Sequence, residues 1–267
     1  MLDLKHIICY NKERIEVTIM LKRKMYDYLL NWKKTKGKEC LLIKGARQVG
    51  KTYLVRMFGK AEYESFVEIN FHKQSSLKVI FEGDKSANEI YKRITANIPG
   101  IKLIPGKTLI FLDEIQKCSN ARTALKFLAE DGRYDVIASG SLLGLAYGQD
   151  DDREVEEVES VPVGYEKSVM MYSLDFEEFL WAYGYGADTI DYLRSFFNSK
   201  EKIPPETNQK FEAILREYLV VGGMPEVVAN FKEYQDFGKV QEIQDKILAS
   251  YADDISQHAR GAEKVKV

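Results

Sequence analysis

Apolar residues begin to recur at helical spacing at Leu21, where Leu21, Met25, Tyr28, Leu29 and Trp32 fall on one side of a helix, whereas residues 1–20 show no clear period. The fold is therefore expected to begin near Leu21, after a poorly ordered extension. Cys40-Leu41-Leu42-Ile43 is a short continuous apolar run of the kind a parallel strand buries on both faces. Thr52 to Lys60 reads as a helix with Leu54, Val55 and Phe58 on one side, and Phe66 to Phe71 alternates apolar and polar residues as a half-buried strand near a sheet edge does. Ile90, Ile94 and Ile98 mark a helix broken by Pro99-Gly100. Thr108 to Leu112, the most apolar strand candidate, ends on Asp113-Glu114. Asn120 is placed to cap the next helix, with Ala121, Ala124, Leu125 and Leu128 on its buried face. A short strand from Asp135 to Ala138 then runs into Ser139-Gly140-Ser141, which reads as a turn or as a sensing element.

Ser168 to Tyr172 reads as a fifth strand. It leads to a helix start with Asp175 as N-cap, Glu178 three residues on, and Leu174 and Phe179 as a hydrophobic staple; that helix runs to Gly184. Residues 199–208, with Pro204-Pro205, read as a linker. Beyond it Phe211, Ile214, Leu215, Tyr218 and Leu219 form one amphipathic helix, stopped by Gly222-Gly223 and Pro225. Val240, Ile243, Ile247, Leu248 and Tyr251 form a second. Strands alternating with helices predict an α/β fold with a central parallel sheet and functional groups at the carboxyl ends of its strands. The division expected is an extension (1–20), an α/β domain (21–198) and a linker with a small helical segment (199–267).

Composition narrows this little. A chain of 267 residues with a net charge of −2 has no general attraction for nucleic acid or anionic membrane. No apolar run reaches membrane-span length and the first twenty residues lack the apolar core of a secretory signal, so no membrane is expected. Cys9, Cys40 and Cys118 are far apart and include no C-x-x-C pair, which argues against zinc or disulfides and for a reducing, cytoplasmic setting. The basic residues between Lys22 and Lys38 read as a solvated helix face rather than a nucleic-acid patch. The acidic stretch Tyr147 to Ser160 reads as a mobile loop rather than a metal site.

The chemistry is carried by Gly45-Ala46-Arg47-Gln48-Val49-Gly50-Lys51-Thr52, which fits the phosphate-loop pattern G-x-x-x-x-G-K-[ST] and sits between a strand and a helix. Such a loop turns backbone N–H groups into one concavity around an anion, beside the positive end of a helix. Lys51 then reaches the β- and γ-phosphates of ATP and the Thr52 hydroxyl ligates Mg²⁺. Asp113, at the tip of an apolar strand, holds Mg²⁺ beside Thr52, while Glu114 polarises the attacking water. Ser139 or Ser141 senses the γ-phosphate. The guanine-reading N-K-x-D does not occur, which leans towards adenine. An arginine from a neighbouring subunit often completes such sites; Arg122, Arg133 and Arg153 are candidates that also read as surface residues.

With Leu112-Asp113-Glu114-Ile115-Gln116, Ser139-Gly140-Ser141, Asp175-Phe176-Glu177-Glu178-Phe179 and Gly222-Gly223-Met224-Pro225-Glu226, the loop makes a wider pattern. The chain resembles the AAA+ type ATPases of bacteria and archaea that pair an N-terminal AAA domain with an uncharacterised, nuclease-like C-terminal domain. The resemblance implies a P-loop NTPase three-layer sandwich, ATP and Mg²⁺ as cofactors, and an ATP-driven change of shape. It admits a homo-oligomer, and a protein or nucleic-acid partner reached through a C-terminal domain that this chain barely begins. The alternative reading is a nucleotide-dependent switch with negligible turnover; a small-molecule kinase is less favoured because no arginine-rich lid is present. The C-terminal helices are expected to expose Phe211, Leu215, Ile247 and Tyr251 to a neighbour rather than dock on the α/β domain.

Overall fold

The computed structural model describes residues 21–141 and 164–258. The expectations for the N-terminal extension, for Tyr147 to Ser160 and for the polar end Glu263 to Val267 lie outside the described residues.

The chain runs α1 (Lys24–Thr35), β1 (Cys40–Gly45), α2 (Lys51–Glu62), β2 (Ser65–Asn70), a 3₁₀ segment (Ser75–Phe81), α3 (Ala87–Asn97), β3 (Thr108–Asp113), α4 (Ser119–Asp131), β4 (Asp135–Ser141) and β5 (Glu166–Met170). A helical unit follows: α5 (Phe176–Ala182), α6 (Ala187–Ser199), α7 (Pro205–Val221), α8 (Pro225–Tyr234) and α9 (Phe237–His258). The five strands form one sheet in the order β2-β3-β4-β1-β5, every pairing parallel.

The twofold period of a strand explains the layers. Leu42, Val67, Ile69, Ile110, Leu112, Val136 and Ala138 bury one face of the sheet under α3, α4 and the 3₁₀ segment. Leu41, Ile43, Leu109, Phe111 and Ile137 bury the other under α1 and α2. This is the expected three-layer sandwich. β2 lies at the sheet edge, as its alternation predicted.

Several local expectations shift. Asn120 does not cap α4: the helix begins at Ser119 with Cys118 in the extended cap position and no side-chain cap. Ser139-Gly140-Ser141 is not a turn, because β4 continues through Ser141 and Gly45 pairs with Ser141 across β1. β5 lies two residues earlier than predicted. The Asp175 capping box is present in both directions, and Leu174 and Phe179 both enter the helical core. Pro204-Pro205 leads directly into a helix, because proline is well suited to the first helical position, where its missing N–H has no partner to lose. Pro225 likewise opens α8. Helices α6 and α8 were not foreseen from the sequence.

Those extra helices supply the covering faces that the sequence reading lacked. Ile247 is buried and Phe211 and Tyr251 pack against the same cluster, together with Leu174, Phe179, Val227 and Phe231. The expectation that these residues face a neighbour is therefore corrected for three of the four; Leu215 is exposed, as are Leu219 and Leu248. Met224 touches both this core and the α1/α2 side of the sheet, so the helical unit docks on the α/β domain.

Within the helical unit, the segment that enters α5 is pinned to the α7–α8 turn backbone to backbone. Leu174 N–H donates to the Gly223 carbonyl at 2.7 Å, and a Cβ added at Gly223 would stand 2.0 Å from the Leu174 carbonyl oxygen. Gly223→Ala is thus expected to cost about 2–4 kcal/mol and lower the melting temperature by several degrees in calorimetry. Gly37→Ala, where a Cβ meets nothing within 4 Å, is the control; equal melting of the two variants would contradict this packing.

Candidate functional site

The site lies where β1, β3 and β4 end, in the crevice outside the carboxyl edge of the sheet. β1 closes on Gly45, whose added Cβ would sit 2.3 Å from the Met171 carbonyl oxygen, so only glycine fits there. The loop from Ala46 to Gly50 follows and α2 starts at Lys51. Two loop residues are left-handed, Gln48 at φ 64° and Gly50 at φ 94°; the second is outside the range most side chains tolerate. The first turn of α2 carries no acidic residue of its own.

Lys51 is buried and its Nζ donates to the carbonyls of Gly45 (2.9 Å) and Ala46 (2.6 Å). Burial pulls its pKa down, and the negative charges of Glu114 and Asp113 partly restore it. Thr52 Oγ1 donates to Asp113 Oδ2 at 3.0 Å. Asn70 Nδ2 donates to the same oxygen at 2.7 Å, and Ser139 Oγ donates to Asp113 Oδ1. Asp113 is 2% exposed.

Register explains this convergence. Asn70 pairs with Asp113 across β2 and β3, and Leu112 pairs with Ala138, so Ser139 stands one step on beside Asp113. By the twofold period Asp113 shares a face with Leu109 and Phe111, and Ser139 with Ile137. That is the face α2 covers, where Thr52 waits. Glu114 follows with φ 56°, left-handed for a residue with a side chain, which re-aims it off the strand; its Oε2 accepts from Gln116 Nε2. Gln116 Nε2 also lies 3.5 Å from Ser141 Oγ.

The structure therefore brings together Lys51, Thr52, Asp113, Glu114 and Ser139, with Gly45, Ala46, Arg47, Gln48, Val49 and Gly50 as the loop itself. Sequence reasoning missed Asn70, Gln116 and Arg23. A polar residue closing an alternating strand was the available signal for Asn70. Arg23 was assigned to a solvated face, yet it is 7% exposed, with Nε on Glu178 Oε2 at 3.2 Å, Nη1 on the Val49 carbonyl at 2.9 Å and Nη2 on the Tyr172 carbonyl at 2.6 Å. Of the candidate completing arginines, Arg122 is paired with Glu166 at 2.8 Å and largely covered, and Arg133 pairs with Asp131 before β4, away from the carboxyl ends of the strands. Arg153 lies outside the described residues.

A family model described as an AAA domain matches residues 37–180, and one described as a domain of unknown function (DUF8612) matches residues 212–267. The second match supports no nuclease-like assignment. A comparison with curated proteins returns no match. Among solved structures, the chain is similar to the Walker-type ATPase PABY2304 of Pyrococcus abyssi, with TM-score 0.52 and 16% identity over 90% of this chain and 77% of that one. AMPPCP-bound DnaA from Aquifex aeolicus gives TM-score 0.45 and 15% identity over 88% of this chain and 67% of that one. The first of these likenesses supports the fold. Among the described residues no helix is long and apolar enough to cross a membrane.

The carboxylate at the centre of the site depends on its donors. Ser139→Ala would leave Asp113 Oδ1 buried without this partner, and a loss of about 1–3 kcal/mol is expected in urea unfolding. Unchanged stability would mean that Ser139 contributes nothing to holding the carboxylate.

Proposed function

Because the chain belongs to the AAA domain family, whose model covers residues 37–180, we propose that it is an Mg²⁺-dependent ATPase that converts ATP to ADP and phosphate and uses the cycle to move its helical unit or a partner. The observation that carries this reading is the meeting of Thr52 and Asp113 at 3.0 Å, directly below a loop that begins and ends on glycine and leads into Lys51.

The donor set fits a magnesium ion. A threonine hydroxyl beside a buried carboxylate offers hard oxygen ligands, one direct and one suited to act through water. Thr52 and Asp113 would hold the ion, which when bound supplies neutralising charge for the β- and γ-phosphate oxygens. Asn70 and Ser139 keep the Asp113 carboxylate aimed by donating to its two oxygens. Ser139 senses the γ-phosphate side through that carboxylate. Lys51 exchanges the carbonyls of Gly45 and Ala46 for phosphate oxygens, a swap its flexible stem allows. The amides of the loop and the N-terminus of α2 cradle the anion.

Glu114 polarises the attacking water. In support of that role, its left-handed backbone turns the residue off the strand and Gln116 donates to its carboxylate. The same bond to Gln116 is the observation favouring a second reading, a nucleotide-dependent switch with negligible turnover, in which Glu114 stays engaged. Homo-oligomer formation would supply a completing arginine in trans, and a protein or nucleic-acid partner would receive the motion.

Lys51→Ala is expected to weaken Mg·ATP binding at least about tenfold and abolish turnover while the fold persists, as read by calorimetry and circular dichroism. Unaltered affinity would remove the phosphate-loop assignment. Glu114→Gln should keep Mg·ATP and lose about 10²–10⁴-fold in kcat. If the parent protein binds ATP without turning it over, the switch reading replaces the ATPase one.

A further inference from the structure

The phosphate loop is gripped from outside by two side chains far away in sequence. Arg23, at the cap of α1, donates from Nη1 to the Val49 carbonyl at 2.9 Å. Tyr251, on α9, donates from its hydroxyl to the Arg47 carbonyl at 2.8 Å. Both lie outside residues 37–180, the segment the AAA model matches. We propose that Arg23 and Tyr251 are positioning residues for the bound phosphates, each fixing one peptide plane of the loop so that the next amide faces the anion; this rests on the nucleotide reading above.

Peptide planarity carries the argument. All peptide bonds in the described chain are trans, so the N–H of each unit points opposite to its C=O. Holding the Val49 oxygen outward turns the Gly50 N–H away from Arg23, and holding the Arg47 oxygen turns the Gln48 N–H away from Tyr251. Gln48 and Gly50 are also the loop's two left-handed residues, where the backbone needs outside support to stay. The two grips thus act on the peptides that precede the two unusual conformations.

Each grip is anchored. Glu178 is 5% exposed and accepts from Arg23 Nε at 3.2 Å, from the Lys24 N–H at 2.7 Å and from the Asp175 N–H at 3.3 Å, so the guanidinium has a fixed counter-charge and a fixed distance to the loop. Its remaining arm reaches the Tyr172 carbonyl at 2.6 Å, at the exit of β5. A lysine donates from a single nitrogen and cannot span the three acceptors that Nε, Nη1 and Nη2 of Arg23 reach. Tyr251 is held by its packing on the helical core, and burial pushes its phenol pKa up, so the hydroxyl remains a donor through the neutral range. Through Tyr251, the displacement of the helical unit and the orientation of a phosphate-loop amide become one variable.

The test uses the 267-residue chain, with calorimetric titration of Mg·ATP and of Mg·tripolyphosphate, a probe without base or sugar. Tyr251→Phe removes one oxygen and should weaken both probes by the same factor, about fivefold, the size of one neutral hydrogen bond. Arg23→Lys should weaken both by about tenfold or more. In nitrogen-edited spectra the Gln48 amide should move in Tyr251→Phe and the Gly50 amide in Arg23→Lys, which a general loss of stability would not produce. Should Arg23→Lys fail to fold, Tyr251→Phe decides the matter alone. Unchanged affinity in Tyr251→Phe while Lys51→Ala loses both probes overturns this inference and leaves the nucleotide reading standing. Weakening for ATP but not for tripolyphosphate also overturns it, since it assigns the residues to the nucleoside. If the parent chain binds neither probe, the nucleotide reading fails and this inference with it.

Discussion

A carboxylate buried at 2% exposure is costly unless every lone pair finds a donor, and Asp113 imposes that requirement on three separate elements. β2 must deliver Asn70, β4 must deliver Ser139, and α2 must arrive with Thr52 at its first turn. Those demands fix more than a site. They fix the register of three strands and the angle at which α2 leaves the loop, because a one-residue slip in β2 or β4 would turn the donor to the opposite face of the sheet. The strand order places β4 between β1 and β3, so Ser139 stands between the phosphate loop and the acid it serves.

What the sequence disclosed follows from how local each signal is. The loop, the apolar strand ending on Asp113-Glu114 and the Asp175 capping box are contiguous patterns whose spacing carries their meaning, and each appears where its residues place it. Ser139 was legible as a strand tip but not as a donor to Asp113, since that needs the register of two strands distant in sequence. Asn70 was hidden for the same reason. Arg23 was read as solvated because the basic residues from Lys22 to Lys38 sit largely off the apolar stripe; its buried partner Glu178 is 155 residues away. Helices α6 and α8 escaped for another reason. Ile190 is the buried residue of α6, too weak a stripe for periodicity to find, and α8 starts at Pro225, which reads equally well as a helix stop.

The misjudged C-terminal helices show how an apolar face can be partnered without a larger domain. Counted alone, α7 and α9 have too little core to stand. With α5 and α8 they close around Leu174, Phe179, Val228 and Phe231, and Met224 extends that core to the α1/α2 side of the sheet. The helical unit is thus continuous with the α/β domain rather than appended to it. It reaches the phosphate loop through the hydroxyl of Tyr251, while Met224 packs on the α1/α2 side of the sheet.

Magnitudes indicate where motion in the proposed cycle would fall. Moving a two-state element from almost wholly one state to almost wholly the other needs a differential of about 5.5 kcal/mol. The helical core buries a dozen apolar side chains, each worth about 1.5–3 kcal/mol, so opening it is far beyond that range. The polar ties between the helical unit and the α/β domain are different. The Tyr251–Arg47 bond is neutral, worth about 0.5–1.5 kcal/mol, and the bonds from Arg23 Nε and the Lys24 N–H to the Glu178 carboxylate, to a charged acceptor, about 1.5–3 kcal/mol each. Their sum is of the same order as the differential that bound phosphates must supply. The helical unit would therefore move as a body, with the ties at its edge as the elements that exchange; two of those three ties end on Glu178 and the third on a carbonyl of the phosphate loop itself.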